Sequence, residues 1–323
     1  MPTLNVFSEE QQRKAKLLLS AKVATMMGRK LEEGDWSEVY HAVRGVQDPG
    51  WSNLHIDYDH DGLGIEFKMI RSNRTPLRDV CGTTLMHPSA TRSIDPGAVD
   101  RDPNEAMFDV FQQYAELIEG RADRVRESSS SGSADMRFGW LIWEPNLTDF
   151  LYFEEPMVPP DPVDFYAVWN ERKAQGSRKA STNLWVFRKS DDKKRYSITT
   201  GRGAKIQPYF DVPPPSDPNL VHMRVQSEYR DDGTVVMWVT HTTHDLLRRA
   251  IGDLTVENVS KAVEEAVEIE IAGELTGEES EGAYPVPVSL NAFNLLVSAW
   301  DAVSDEHRVQ LLVQHVAEAR RQD

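Results

Sequence analysis

The chain has 323 residues, 40% hydrophobic and 27% charged, with a mean hydropathy of −0.51. No apolar run approaches the roughly 18 residues of a membrane-spanning helix, so no membrane partner is expected. Thirty-six Lys and Arg against 52 Asp and Glu leave a net charge of −16, which argues against a chain whose whole surface holds polyanions.

A single cysteine, Cys81, can form no disulfide within the chain. The N-terminus lacks a compact apolar export segment, so a reducing cytoplasm is the expected location. The length suggests about two domains.

In chain order, Ser8-Glu9-Glu10-Gln11 reads as a capping box opening a helix that runs to about residue 27. A second helix is expected over 35–43, capped by Asp35. Two alternating runs, 53–59 and 64–70, flank Asp61-Gly62 and spell a β-hairpin. Residues 71–103 carry Pro76, Pro88, Pro96 and Pro103 and read as an irregular connection. A helix is expected over 104–126, and Ser128 to Ser133 reads as a flexible loop or linker. The apolar run 138–143 suits a buried central strand, with 150–153 as its neighbour. Further strand patterns lie at 183–188, 195–199 and 235–240. Helical patterns at 256–271 and 289–321 close the chain, with the acidic stretch 274–281 between them.

The hairpin carries the chemistry. With Asp61-Gly62 at a two-residue turn, His60 faces Leu63, Asp59 faces Gly64, Asp57 faces Glu66 and His55 faces Lys68. Period-two alternation then sends His55, Asp57, Asp59, Glu66 and Lys68 to one face, and Leu54, Ile56, Tyr58, Ile65, Phe67 and Met69 to the other. Crowded carboxylates repel one another unless a cation neutralises them, and Mg²⁺ prefers such oxygen ligands. A lysine beside the ion can orient attacking water and offset phosphate charge, so the set reads as a phosphodiester hydrolysis site. The competing reading is a surface hairpin with one solvated, charge-alternating face.

Asp59-His60-Asp61-Gly62-Leu63-Gly64-Ile65-Glu66-Phe67-Lys68 resembles the catalytic hairpin of PD-(D/E)XK nucleases, especially the MutH-like nickases and their type II restriction relatives. The likeness extends weakly through Pro76-Leu77 to Val80-Cys81 and covers about 30 residues. It implies that Asp59 and Glu66 bind Mg²⁺ and that Lys68 is the catalytic lysine. It also implies a glutamate on the preceding helix, for which Glu38 is the candidate. The chain departs from the family in the length between that helix and the hairpin, and in offering Asp57 beside Asp59; the spacing to Glu66 favours Asp59. The fold expected on this ground is α/β (α+β), a PD-(D/E)XK core with a central mixed sheet flanked by helices. Catalysis is then expected in 1–160 and β-rich DNA recognition with C-terminal helices in 161–323, the two able to pack as one domain.

Between residues 172 and 205, Arg172, Lys173, Arg178, Lys179, Arg188, Lys189, Lys193, Lys194, Arg195, Arg202 and Lys205 are opposed only by Asp191 and Asp192. This surplus of nine positive charges, interleaved with Asn183, Trp185, Phe187, Tyr196, Gln207 and Tyr209, is the expected duplex-DNA face; Asn183 and Gln207 are candidate base readers. The competing reading is a solvated hairpin whose Asp191-Asp192 tip pairs with Lys193-Lys194. Gly201-Arg202-Gly203-Ala204-Lys205 lacks the spacing of a P-loop, and His241-Thr242-Thr243-His244 reads as a strand-end loop rather than a zinc site.

The expected activity is Mg²⁺-dependent endonucleolytic hydrolysis by a bacterial type II restriction enzyme, with room for a homodimer. The alternatives are a strand-nicking repair or phage-defence nuclease, and a DNA-binding module without catalysis.

Overall fold

A computed structural model describes residues 4–26, 31–48, 56–72, 77, 94–144, 146–173, 180–200, 205–267, 283–300 and 303–322. In chain order the elements are α1 (Glu9–Thr25), α2 (Glu33–Arg44), β1 (Tyr58–His60), β2 (Leu63–Arg71), α3 (Pro103–Glu127), β3 (Asp135–Trp143), β4 (Asp149–Pro156), β5 (Phe165–Arg172), β6 (Ser181–Arg188) and β7 (Lys194–Thr199). They continue with β8 (Ile206–Pro208), β9 (Val221–Arg224), β10 (Glu228–Tyr229), β11 (Thr234–Thr240), α4 (His241–Ile251), α5 (Val256–Val267), β12 (Ala283–Ser289), α6 (Leu290–Ala299) and α7 (Asp305–Gln322). The protein is thus a mixed α and β protein. Its sheets run β1-β2-β3-β4-β9, β5-β6-β7-β8 and β10-β11-β12.

Two compact units interleave in sequence. The first comprises Met1–Val6, Pro49–Ile142 and Tyr152–Leu220; the second comprises Phe7–Asp48, Trp143–Leu151 and Val221–Asp323. Residues on both sides of position 160 therefore belong to the unit that holds the hairpin.

In the first unit, Asp61 (φ 44°) and Gly62 (φ 82°) form the turn. Positive φ at both central positions is what a type I′ hairpin turn needs. The register follows, with Tyr58 opposite Ile65, Asp59 opposite Gly64 and His60 opposite Leu63. From β2 the chain crosses through α3 into β3. The Asp135 N–H donates to Gly62 O at 2.7 Å, and further along Gly139 lies against Ile65 and Phe67. Both strands advance together, so β2 and β3 are parallel and the sheet is mixed. At Gly139 a Cβ would meet Tyr152 Oη at 2.5 Å and Phe67 at 2.9 Å, so only glycine lets the strands pack this closely.

Helix α3 begins where Asp102 accepts from the Asn104 and Glu105 N–H groups, an N-cap with proline at N1. Its apolar stripe, including Phe111, Tyr114, Ile118 and Val125, forms one core with Met136, Ala167, Leu184, Val186 and Ile198. The same helix thus packs on the hairpin side and on one face of the β5–β8 sheet. Strand β5 did not stand out in the sequence.

In the second unit, α1 starts at the expected Ser8–Gln11 capping box. Helix α2 begins two residues before Asp35. Asp35 is not its N-cap but its third residue, accepting from the Glu32 N–H at 2.8 Å. The core joins β11 and β12 to α4, α5, α6 and α7. The His241–His244 segment opens α4 rather than lying in a loop, with the Thr240 side chain accepting from the Thr243 N–H. The single helical pattern at 289–321 is two helices, α6 and α7. At the start of α7, Asp305 accepts from the Ser227 N–H and hydroxyl at 2.8 and 2.7 Å, and Glu306 accepts from the Thr240 N–H at 2.7 Å. These buried acids satisfy backbone and hydroxyl donors and serve the fold.

Candidate active site

The hairpin buries Tyr58, Ile65 and Phe67 on one face, as alternation requires. Ile56 departs from the expected face: it precedes β1 and packs with the α3 cluster. The opposite face bears Asp59, Gly64, Glu66 and Lys68, and the last turns of α3 lie against it. Val125 would be 2.7 Å from a Cβ on Gly64, so a side chain there would push the helix away.

Glu66 and Lys68 are brought together. Both are largely buried, and Lys68 Nζ donates to Glu66 Oε1 at 2.8 Å and to Phe67 O at 2.9 Å. Arg121 Nη1, from α3, reaches Glu66 Oε2 at 3.0 Å. Burial would raise the Glu66 carboxyl, but the Lys68 and Arg121 cations, with the hydrogen bonds they donate, hold it below the ordinary carboxylate range. Tyr114 lies near this group. Burial, reinforced by Tyr196, pushes its phenol well above the usual value against the pull of Arg121.

Asp59 is exposed at the other end of this face, where Ser128 Oγ donates to its Oδ1 at 2.6 Å. Asp61 accepts from the Ser130 hydroxyl at 2.7 Å and the Ser130 N–H at 2.9 Å, and these bonds lower its pKa. The serine segment is therefore not a linker; it fastens the end of α3 to the hairpin tip. Asp59, His60, Asp61 and Ser128 to Ser130 line a shallow open depression. The partially negative C-terminal end of α3 is beside it, which favours a cation over an anion at that spot.

Asp57 is at a bend before β1, and its Oδ2 accepts the Phe67 N–H at 2.6 Å. Glu38 is in the second unit, paired with Lys22 of α1. His55 is outside the described residues. Among the described residues, no group of three His, Cys, Asp or Glu side chains is gathered closely enough to hold an ion. The donor chemistry nonetheless fits Mg²⁺, which is commonly held through one or two carboxylates with water and phosphate oxygens completing the shell. Asp59 and Glu66 are two such carboxylates on one face.

Arg121, Ser128 and Ser130 were missed as site residues. Arg121 had a sequence signal: it interrupts the apolar stripe of α3 seven positions after Tyr114, and a cation there needs a buried partner.

The basic segment runs from the end of β5 through β6 and β7 to the start of β8. Arg178, Lys179 and Arg202 lie outside the described residues. Several of its charges meet acids in the fold: Arg188 pairs with Asp191, Lys193 Nζ is 3.0 Å from Asp211, and Arg195 is 3.1 Å from Asp211 and 3.9 Å from Glu155. Lys189 Nζ donates to Val163 O at 2.8 Å, and the Lys205 N–H donates to Thr199 Oγ1 at 3.0 Å. Lys194 Nζ is over the Trp185 ring, 3.9 Å from its centre. Asn183 is opposite Asn170 and Thr199, and Gln207 is opposite Ser197. Tyr196, expected to face DNA, turns inward and meets Phe111 and Phe165 edge-on. Glu155, which accepts from Trp140 Nε1 at 3.1 Å, is pushed up to about 7 by burial, against the pull of Arg195.

No helix among the described residues is long and apolar enough to cross a membrane. No family model, curated protein or solved structure matches the chain.

Proposed function

We propose that the protein is a Mg²⁺-dependent endonuclease that hydrolyses phosphodiester bonds in duplex DNA at specific sites, as a type II restriction enzyme does. The observation that carries this reading is the buried Glu66–Lys68 pair, 2.8 Å apart, on the same hairpin face as Asp59. The parallel crossover from β2 through α3 to β3 supports it, because it gives the hairpin a rigid backing. Asp59 and Glu66 would hold the ion, with Asp57 adjacent in the chain. When bound, the ion supplies Lewis-acid polarisation of the phosphate and lowers the pKa of water.

The chain's own residues do the rest. Arg121 keeps Glu66 ionised and oriented from the α3 side. The Lys68 ammonium, fixed by Glu66 and the Phe67 carbonyl, places a positive charge where low dielectric makes it strong and offsets the charge that develops on a phosphate.

The test is cleavage of unmethylated phage DNA and supercoiled plasmid. Wild-type protein is expected to cut with Mg²⁺ or Mn²⁺, and Asp59→Ala, Glu66→Ala and Lys68→Ala each to lose roughly a thousandfold or more, without additivity. Mg²⁺ should raise the melting temperature of the wild type and much less that of Glu66→Ala. Full activity in excess EDTA would overturn the reading, and accumulation of nicked circles would convert it to a nickase.

A DNA-binding module without hydrolysis is the second reading. The observation in its favour is that both Glu66 oxygens already have cationic partners. Tight duplex binding without cleavage under any divalent ion would establish it.

A further inference from the structure

One face of the β5–β8 sheet packs on α3 through Ala167, Leu184, Val186 and Ile198. Alternation sends Tyr166, Val168, Trp185 and Phe187 to the other face, where Val168 is 40% exposed. Tyr166 stacks on Phe187, with ring centres 5.3 Å apart and planes at 15°, and Trp185 meets Phe187 edge-on at 6.4 Å. A contiguous apolar patch on the outside of a sheet is a feature of interaction surfaces.

A β-bulge completes the row. Counting back from the buried Ile198, Lys194 should point inward with Tyr196. The register shift between Val186 and Phe187 instead sets Lys194 opposite Phe187, so its ammonium lies 3.9 Å from the Trp185 ring centre and 4.5 Å from that of Tyr209. Asn170 and Asn183, directly opposed across the strands, add amide donors and acceptors to the same face.

Charge selects the occupant. Among the described residues of 165–211, Lys173, Arg188, Lys189, Lys193, Lys194, Arg195 and Lys205 stand against Glu171, Asp191, Asp192 and Asp211, in a chain of net charge −16. An ammonium beside aromatic rings and amides is the chemistry of a single-strand platform: every base has a face to stack, and the Lys194 ammonium over the Trp185 ring can move to a phosphate. A duplex hides its base faces and cannot use such a surface. At one end the Tyr166 hydroxyl bonds Asp192, which leaves the Lys194 side as the one that suits a phosphate backbone.

We propose that the outer face of the β5–β8 sheet binds single-stranded nucleic acid, with unpaired bases stacked on Trp185 and Phe187 and Lys194 pairing with the backbone. The inference rests on the nucleic-acid reading of this segment and is independent of hydrolysis.

The experiment titrates the full chain in EDTA with fluorescein-labelled oligo(dT) of about 12 nucleotides, and with a duplex of equal length, at several salt concentrations. The single strand should bind in EDTA, without any divalent ion. Trp185→Ala should weaken single-strand binding about tenfold or more, while Trp185→Phe stays within about threefold of wild type. Lys194→Gln, a surface change that spares the core, should weaken binding and flatten the salt slope by about 0.7. Wild-type single-strand binding by Lys194→Gln and Trp185→Ala, or no binding of any oligonucleotide, would each overturn the proposal; the last would hand the face to a protein partner. Lys68→Ala should keep oligo(dT) binding whatever becomes of cleavage. Cleavage without single-strand binding therefore sinks this inference alone, and single-strand binding without cleavage sinks the hydrolytic one alone.

Discussion

Lys68 Nζ donates to Glu66 Oε1 at 2.8 Å from two positions along the same strand, while Arg121, 55 residues away in sequence, closes on the other oxygen at 3.0 Å. A buried carboxylate between two cations is ionised and held in one orientation.

Arg121 is expected to act through Glu66. Because the folded Glu66 pKa is depressed, its contribution to stability is present above the unfolded value and is lost as pH falls through the folded one. Arg121→Gln removes one of the two cations and lets burial raise that pKa. The acid limbs of both the cleavage profile and the thermal melts should then move to higher pH. Unchanged acid limbs would remove Arg121 from this role.

Asp57 and Asp59 should separate by assay. The Asp57 carboxylate accepts the N–H of the fully buried Phe67, so Asp57→Ala should cost about 1–3 kcal/mol in urea unfolding. Asp59→Ala, at an exposed position, should change stability by less than about 1 kcal/mol and abolish cleavage. A stable but inactive Asp57→Ala beside an active Asp59→Ala would reassign the metal ligand.

Glu155 should make the protein less stable as pH rises. Its folded pKa, about 7, exceeds the ordinary 4.5, so the folded state binds the extra proton between those values and stability declines across that window. A shift of this size corresponds to about 3 kcal/mol as an upper figure. Glu155→Gln retains an acceptor for Trp140 and carries no charge. It should melt higher than wild type at pH 8 and like it at pH 4.5, and equal melts at both would refute the point.

Gly139→Ala should destabilise the first unit by about 1–3 kcal/mol, because the new methyl would be 2.5 Å from Tyr152 Oη and 3.0 Å from Ile65. Urea denaturation measures it. An unchanged midpoint would mean that β2 and β4 yield without cost.

What the sequence alone determined is local. The Asp61-Gly62 pair accepts positive φ, and a two-residue turn leaves one register, so the burial of Tyr58, Ile65 and Phe67 and the shared face of Asp59, Glu66 and Lys68 were legible from about ten residues. The Ser8–Gln11 capping box and the apolar stripe of α3 were legible for the same reason, since their partners lie within a helical turn or two. Tertiary structure decided the rest. Arg121 meets Glu66, and Ser128 meets Asp59, only because α3 folds back across the hairpin. Lys194 faces outward because of one bulge, and alternation alone would have put it in the core. Strand β12 contains Pro285 and Pro287, which argue against a strand until the sheet order shows it at an edge, where missing N–H groups cost little. The N-cap of α2 is Glu32, three residues before the expected Asp35, because several nearby residues could each cap and packing chose among them, and α4 formed where a strand-end loop was expected. Contacts that span tens of residues are set by how elements pack, and one-dimensional periodicity carries no record of that.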